Sequence, residues 1–315
     1  MRPPLPLWLY PSPWLVAVAI LLAHLLDAIY PYHRGLALTL HPVHTSYVLA
    51  KRLAPPGSSF IRGAAAWLTV MASHLAAAAL ILYVAWSLGP LAWLLAAAVE
   101  VKLSIGLRLL LDTVSATAAA LEAGRLEEAR MHAQGLVRRN LAAAPPGLVA
   151  SAAAESLAES LVDGYVSPLL YAGLLGPLGA VAQRVANTLD GALGFKTPDY
   201  LEAGRLSAWA DTVLNYLPAR LTVLLIALAA PLAGCSARGA LAAWRRFHGA
   251  TESRNAGHPM SAMAGALGVA LEKRGHYRLG EGIHPGAKEL RKAVRTAAVA
   301  AALYLAAVEA ALLAA

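Results

Sequence analysis

The sequence predicts an all-α fold: a polytopic integral membrane bundle whose broken or re-entrant helices surround a cavity open to the cytoplasm. Hydrophobic residues make up 58% of the 315 residues and charged residues only 14%, against roughly 25% charged in an ordinary globular domain. Several apolar stretches approach the roughly 20 residues that cross a bilayer core. Alanine and leucine dominate these stretches, which favours helix over strand.

Six apolar segments are predicted, in chain order, at residues 13–30, 64–88, 91–111, 164–182, 217–232 and 297–315. Gly89-Pro90 separates the second from the third, and this dipeptide predicts a tight helical hairpin. The fourth segment contains several prolines and glycines, as expected of a discontinuous or re-entrant helix.

We expect one membrane-embedded domain over residues 1–315. It contains a polar helical segment with an acidic motif at 112–163 and a long basic loop at 235–295. Lys and Arg collect in three stretches, and the positive-inside rule assigns such stretches to the cytoplasm. They lie at 33–62, 108–139 and 238–295.

Charge and cysteine content exclude two classes of protein. The net charge of +8 is not gathered into a patch with interleaved aromatic residues, so no nucleic-acid partner is expected. Cys235 is the only cysteine, which excludes an internal disulfide and a cysteine-rich zinc site.

An acidic motif gives the strongest signal for a functional site. Glu155, Glu159 and Asp163 recur every fourth residue, so on a helix they lie along one face and repel one another. An apolar segment follows, where charged groups are costly, so we expect a cation to neutralise them. Carboxylates without nearby Cys or His suit Mg²⁺ together with substrate phosphates. The alternative is a helix whose carboxylates pair with Arg138 or Arg139.

A second motif contains Asn187 and Asp190, which are three residues apart and share a helical face. The alternative is an ordinary helix C-terminus, closed by Gly191 or Gly194.

Two further polar clusters flank the fifth apolar segment. Asp211, Asn215 and Arg220 lie at its start, where they are either ligands or membrane-edge anchors. Arg254 and Asn255 lie in a later stretch of small residues that lets the backbone approach a ligand closely.

Histidines near the first apolar segment form the last candidate cluster. His41 follows the segment and has His44 nearby, which indicates either metal ligands or a titratable surface loop. His24 and Asp27 lie within the segment, where they are expected to face other helices.

Taken in this order, the motifs resemble the adenosylcobinamide-phosphate synthase family of cobalamin biosynthesis. The resemblance covers most of the chain and rests on five ordered motifs. They are His41-Pro42-Val43, the acidic motif from Glu155 to Asp163, Asn187-Thr188-Leu189-Asp190, Asn215-Tyr216-x-Pro218-Ala219-Arg220, and Asn255-Ala256-Gly257 continuing to Gly268.

The resemblance implies an integral membrane enzyme that joins adenosylcobyric acid to an aminopropanol phosphate, driven by ATP hydrolysis. With the physical arguments above, it assigns four residues to catalysis, to Mg²⁺ and to nucleotide positioning: Glu155, Glu159, Asp163 and Asp190. The residues expected to bind substrate or nucleotide are His41, Arg184, Asn187, Asp211, Asn215, Arg220, Arg254 and Asn255, the three arginines through their planar donor forks.

The implied partners are a corrinoid, ATP, the aminopropanol phosphate, membrane lipid and later membrane enzymes of cobalamin assembly. Because ATP is cytoplasmic, the site should face the cytoplasm of a multi-pass protein in the cell membrane. A topology based strictly on the positive-inside rule would place residues 183–216 on the outer side of the membrane, which conflicts with a cytoplasmic ATP site. Short or broken helices that enter the membrane without crossing it remove this conflict. The chain departs from the family pattern at Asn140, Ser160, Thr212 and Arg254.

Three other functions stay open from the sequence: a transporter, a non-catalytic membrane sensor, and a magnesium-dependent prenyl or phosphatidyl transferase. A transporter would also place carboxylates in broken helices, but no internal repeat is visible. A transferase would gather its aspartates in one short motif, whereas Asp163, Asp190 and Asp211 are dispersed. Binding of ATP together with a corrinoid would separate the synthase from all three.

Overall fold

A computed structural model describes residues 6–315. The chain is mostly helical, as predicted, and divides into two compact units assembled from separate stretches of sequence. Unit 1 comprises the chain up to Gly106, Asp163–Asn215 and Val308–Ala315. Unit 2 comprises Leu107–Val162 and Tyr216–Ala307. The prediction of one domain does not anticipate this division.

Within residues 6–315 the secondary structure consists of α-helices, one π-helix, one 3-10 helix and a short hairpin. In chain order the α-helices are α1 (Pro13–Ile29), α2 (Leu36–Thr39), α3 (Pro42–Leu53), α4 (Phe60–Leu88), α5 (Pro90–Ser104), α6 (Leu107–Glu122), α7 (Leu126–Gln134), α8 (Pro146–Leu161), α9 (Ser167–Leu175), α10 (Pro177–Leu193), α11 (Arg205–Leu214), α12 (Tyr216–Ala229), α13 (Ala237–Phe247), α14 (Gly257–Leu267) and α15 (Ala287–Leu313). The π-helix spans Val162–Val166, the 3-10 helix spans Pro231–Ala233, and β1 (Leu271–Lys273) pairs antiparallel with β2 (Tyr277–Leu279).

Among residues 6–315, two helices are long and apolar enough to cross a membrane: α4 and α15. A third candidate exists if α11 and α12, which are bent by 43° relative to each other, count as one broken span. The apolar helix α1 has only 17 residues. Two or three such helices fit a membrane protein, and the larger number of spans predicted from the sequence stays a prediction.

Local sequence signals set several helix ends. Ser12 caps α1 by accepting a hydrogen bond from the Leu15 amide (3.2 Å), as short polar residues do at helix N-termini. Gly89 has φ 121°, a left-handed value that glycine adopts readily, and Pro90 starts the next helix. The predicted hairpin between α4 and α5 is therefore confirmed.

The third and fourth apolar segments are both interrupted. The third breaks between Ser104 and Leu107, where the Gly106 amide donates to the Gly164 carbonyl (3.0 Å). This break was not predicted. The fourth is broken as expected, because a π-helix leads into α9 and Gly176, with φ 74°, separates α9 from α10.

The core of unit 1 lies where α3, α4 and α10 pack together, around Val70, Val185 and Leu189. The segment before α1 is fastened to this unit by two hydrogen bonds over long sequence separations. The Trp93 indole donates to the Trp8 carbonyl (2.7 Å), and the Tyr10 hydroxyl donates to the Gly173 carbonyl (3.0 Å).

Unit 2 contains α6, α7 and α8, which pack around Ala120, Val149 and Ala152. Residues 235–295, predicted as a long basic loop, instead contain α13, α14, the β1–β2 hairpin and the start of α15. A Cβ at Gly239 would lie 2.3 Å from the Gly265 carbonyl oxygen. The two glycines therefore let α13 and α14 approach closely, and this tertiary packing stabilises helices that intrinsic propensity alone does not predict.

Candidate functional site

The predicted site residues are divided between the two units. Unit 1 holds His41, Asp163, Arg184, Asn187, Asp190, Asp211 and Asn215, and unit 2 holds Glu155, Glu159, Arg220, Arg254 and Asn255. Within each unit the structure brings some of these side chains into direct contact.

Asp211 is the centre of a hydrogen-bonded cluster in unit 1. Its Oδ1 accepts from Asn187 Nδ2 (3.0 Å) and from Asn215 Nδ2 (2.9 Å). Gln183 Nε2 in turn donates to Asn215 Oδ1 (3.2 Å). These four residues, here called the amide cluster, join two motifs that are separate in the sequence. Gln183 was not among the predicted residues.

Arg184 lies beside the amide cluster. Its Nη1 donates to Asn187 Oδ1 (3.5 Å) and its Nε donates to the Ser104 carbonyl (2.8 Å). Burial lowers the pKa of the guanidinium, and the charge of Asp163 opposes that effect. A Cβ at Gly164 would lie 3.4 Å from Arg184 Nη2, so the glycine leaves room for this side chain.

Asp163 lies in the π-helix that begins at Val162. Such helices are rare and often occur at functional sites. The acidic motif thus does not continue as a regular α-helix to its last member. The four-residue spacing therefore no longer places Asp163 on the same α-helical face as Glu155 and Glu159.

A basic cluster surrounds His41 in the same unit. The His41 ring caps α3 by accepting from the Val43 amide (3.2 Å) and lies edge-on to His33, with ring centroids 4.6 Å apart. Lys102 Nζ is 2.7 Å from His33 Nε2. Burial, followed by the charges of His33, Arg184 and Lys102, lowers the pKa of His41 to about 4. His41 is therefore neutral at pH 7.

The basic cluster is defined here as His33, His41, Lys102 and Arg184. Two of its members, His33 and Lys102, were missed from the sequence. A signal for Lys102 was present, because a lysine inside an otherwise apolar stretch marks a candidate functional site.

Asp190 lies near the end of α10. A Cβ at Gly194 would lie only 1.8 Å from Asp190 Oδ1, and the Gly194 amide donates to the Asp190 carbonyl (2.7 Å). This geometry favours the alternative in which a glycine closes the helix.

In unit 2, Glu155 is buried and holds a dense set of donors. Arg139 binds it through two parallel hydrogen bonds, Nη1 to Oε2 (2.8 Å) and Nη2 to Oε1 (3.0 Å). The hydroxyls of Ser151 (2.6 Å) and Tyr277 (2.7 Å) donate to the same carboxylate. The arginine-paired alternative left open by the sequence is the one that the structure contains for Glu155.

The three acidic side chains do not share one environment. Glu159 is exposed, whereas Glu155 is buried; the expectation that both are shielded from water was wrong for Glu159. Within residues 6–315, no group of three or more His, Cys, Asp and Glu side chains is placed to hold a metal ion.

A cavity of about 460 Å³ lies beside the Arg139–Glu155 pair. Its wall includes Arg139, the following residues 140–145, and Glu272 to Arg274 of the hairpin. Burial lowers the pKa of Arg139, but the hydrogen bond and charge of Glu155 outweigh this and hold it above its ordinary value.

Arg220 of the fourth motif and Asn255 of the fifth meet in unit 2. Arg220 stacks on the Tyr216 ring, 3.4 Å from its centroid, and its Nη1 donates to Asn255 Oδ1 (3.3 Å). The Trp244 indole donates to His258 Nδ1 (2.8 Å). Burial, then the charges of Arg220 and His248, lowers the pKa of His258 to about 4.

Comparison with known proteins decides the family. The sequence model described as "CobD/Cbib protein" matches residues 20–306, which is most of the chain. The chain belongs to the CobD/Cbib protein family. The family functions in cobalamin biosynthesis.

Relatives in this family include a protein of Aeropyrum pernix named "Probable cobalamin biosynthesis protein CobD", 52% identical over 94% of this chain and 93% of its own length. A protein of the same name from Thermoplasma volcanium is 39% identical over 59% of this chain and 61% of its own length. "Cobalamin biosynthesis protein CobD" of Dehalococcoides mccartyi is 42% identical over 52% of this chain and 53% of its own length. No solved structure matches the chain significantly.

This CobD/Cbib chain departs from the expected family pattern at four positions. At two of them the side chain makes a local hydrogen bond. Asn140 Oδ1 accepts from the Ala142 amide (2.8 Å) in the cavity wall, and the Thr212 hydroxyl donates to the Ala208 carbonyl (2.7 Å). Ser160 is half-buried, and Arg254 is exposed.

Proposed function

We propose that the chain joins adenosylcobyric acid to an aminopropanol phosphate and forms adenosylcobinamide phosphate with hydrolysis of ATP. Family membership supports the cobalamin context. The observation that carries the proposal is the basic cluster of unit 1, because it contains His41 and Arg184, two of the residues predicted to bind substrate or nucleotide.

Amide formation requires activation because a carboxylate is a poor electrophile. In the proposed reaction the corrinoid carboxylate oxygen attacks the γ-phosphorus of ATP, and ADP leaves. The amine then attacks the carbonyl carbon of the acyl phosphate, the C–O bond to phosphate breaks, and the amine loses a proton. Binding and orientation of phosphoryl groups are thus the main tasks of the protein.

The basic cluster suits these tasks. Arg184 presents a guanidinium fork that recognises phosphate oxygens, and Lys102 supplies a second positive charge. The amide cluster holds Arg184 through Asn187, and Asp211 fixes Asn187 in turn. We therefore assign Asn187, Asp211 and Asn215 as positioning residues for Arg184.

We propose Mg²⁺ and ATP as cofactor and co-substrate, with a narrower set of metal ligands than the sequence indicates. Glu155 does not fit, because Arg139, Ser151 and Tyr277 already occupy its carboxylate oxygens. Mg²⁺ is usually held by one or two carboxylates together with substrate phosphates, so Asp163 and Asp190 would suffice. When bound, the ion would neutralise charge on the transferring phosphoryl group.

Within unit 2, we propose that Arg220 and Asn255, which the structure holds together, and the exposed Arg254 bind substrate. We also propose a multi-pass protein in the cell membrane with its site facing the cytoplasm, where ATP is available. Later membrane enzymes of cobalamin assembly are the proposed partners.

The test is a ligation assay with purified protein in detergent, supplied with adenosylcobyric acid, aminopropanol phosphate, ATP and Mg²⁺. We expect a corrinoid product and one ADP for each amide formed. Arg184→Gln should raise KM for the phosphorylated substrates, whereas the exposed Arg205→Gln should not. Folded protein that binds ATP and corrinoid without forming product would refute the ligase and favour a sensor or transporter.

A further inference from the structure

One exposed face of α15 changes from basic to apolar along the helix. Lys288, Arg291 and Arg295 are exposed and follow one another at three- and four-residue spacing, so they share this face. The same face continues through Ala302 and Ala306, which are exposed too. The apolar part of this candidate membrane span therefore begins just after Arg295, and basic residues at such a boundary lie at the level of the lipid headgroups.

The end of α12 lies beside this boundary. The Thr296 hydroxyl of α15 donates to the Cys235 sulfur (3.7 Å), six residues after the last residue of α12. Large apolar side chains are exposed on the approach to Cys235, with Leu228 65% and Leu232 72% exposed. Both helices thus bring exposed apolar side chains to the same place in unit 2.

Three cations lie close to this contact in the sequence and lack an acidic partner. Arg238 follows Cys235 by three residues, and Lys292 and Arg295 lie within the turn of α15 that precedes Thr296. Among residues 6–315, none of the three forms an ion pair. Their positive charge is therefore available to a ligand from outside the chain.

The acidic residues nearest in sequence to the start of α15, or paired with it, are engaged elsewhere. Glu122 forms an ion pair with Arg291. The Glu289 carboxylate accepts a hydrogen bond from the Gly286 amide (3.0 Å). Neither contact neutralises the three cations defined above.

We propose that this surface of unit 2 binds an anionic phospholipid. Arg238, Lys292 and Arg295 bind the headgroup, and the exposed leucines before Cys235 contact the acyl chains. Guanidinium and ammonium groups form charge-assisted hydrogen bonds to phosphate, and basic surfaces between membrane helices are typical sites for anionic lipids. The inference rests on the proposed membrane location and does not depend on the ligase activity.

The first experiment uses native mass spectrometry of the full chain in detergent with equal amounts of phosphatidylglycerol and phosphatidylcholine that carry the same acyl chains. The two lipids differ in net charge, so a difference in retention reports the headgroup. We expect the protein to retain phosphatidylglycerol preferentially. Equal retention would overturn the proposal, and so would displacement of the lipid by an equal concentration of inorganic phosphate, which has no acyl chains.

A double variant locates the preference. Arg238→Gln/Arg295→Gln should lose it, with the affinity for phosphatidylglycerol falling about fivefold for each cation removed. Arg205→Gln/Arg278→Gln is the matched control, because it removes the same charge from exposed ion pairs elsewhere. A preference that persists in the first variant, or that both variants lose equally, would overturn the assignment.

Two further measurements separate the possible failures. Leu228→Gln should weaken retention of both lipids by the same factor, because it removes acyl contact and no charge; a selective loss of phosphatidylglycerol would contradict the assigned roles. Membrane location is tested by an alkaline wash of isolated membranes. Release of the chain would refute the location, whereas a chain that stays in the membrane but shows no lipid preference would refute this site alone.

Discussion

Replacing Arg139 by methionine should destabilise the protein by about 3 to 5 kcal/mol, the usual cost of leaving a buried charge without its partner. The Glu155 side chain is only 3% exposed, whereas that of Arg139 is 22% exposed. Loss of the arginine therefore leaves the less hydrated partner uncompensated. The hydroxyls of Ser151 and Tyr277 remain as donors, but neither carries charge.

Glu155→Gln should cost less, about 1.5 to 3 kcal/mol, which is the value of a hydrogen bond to a charged group. Its partner Arg139 can reach water, so the remaining charge is partly hydrated. The double variant Arg139→Met/Glu155→Gln removes both charges and should be more stable than Arg139→Met alone. The two changes are thus expected to be strongly non-additive.

Equilibrium unfolding in mixed micelles, followed by tryptophan fluorescence, measures all three free energies. The control is Arg278→Met, which removes an exposed ion pair with Glu272 and should change stability by less than about 1 kcal/mol. Additive costs in the double variant would refute the reasoning. So would a Glu155→Gln defect that appears only when Mg²⁺ is present, since that result would identify Glu155 as a metal ligand.

Three further predictions follow from single contacts. Gly194→Ala should destabilise the protein by about 1 to 3 kcal/mol, because the new Cβ meets the Asp190 carboxylate at 1.8 Å; thermal unfolding measures this. His258 has a folded pKa of about 4 against an ordinary 6.5, so the unfolded chain takes up the proton first and stability should fall as pH decreases from 6.5 to 4. His258→Asn should reduce that slope. In a Cys235→Ser background, Ile283→Cys, at a position 83% exposed, should react with an impermeant maleimide only in inverted vesicles, because the surrounding basic residues favour the cytoplasm.

Each of these has its own control. Gly135→Ala should be tolerated, since its Cβ would meet only the His132 carbonyl oxygen at 3.4 Å; equal losses at both glycines would contradict the steric argument. An unchanged pH slope in the His258 variant would remove that residue from the titration. Labelling at position 283 in intact cells would contradict the cytoplasmic placement.

Helix positions could be predicted where the determinant is local. The hairpin between α4 and α5 was predicted because Gly89-Pro90 marks both the end of one helix and the start of the next. The break at Gly106 was missed because its amide bonds to Gly164, far along the chain. The helices within 235–295 were missed for the same reason, since close packing at Gly239 and Gly265 stabilises them.

The candidate site shows the same limit. The spacing of the acidic motif left a metal and an arginine open as partners, and the pairing of Glu155 with Arg139, 16 residues earlier in the chain, depends on tertiary structure. The pairing of Asn187 with Asp211 likewise joins residues on two helices. His33 was overlooked because it is unremarkable beside its own sequence neighbours, whereas Lys102 was overlooked although a lysine within an apolar stretch is a sequence signal.

The segment before α1 has a consequence for the order in which the chain is made. Trp8 and Tyr10 leave the ribosome early, but their partners Trp93 and Gly173 are translated much later. At about 5 to 20 residues per second, the Tyr10 hydroxyl waits roughly 10 to 30 s for its acceptor. Until then the segment before α1 lacks its contact with Gly173, and that contact forms only after α9 has been translated.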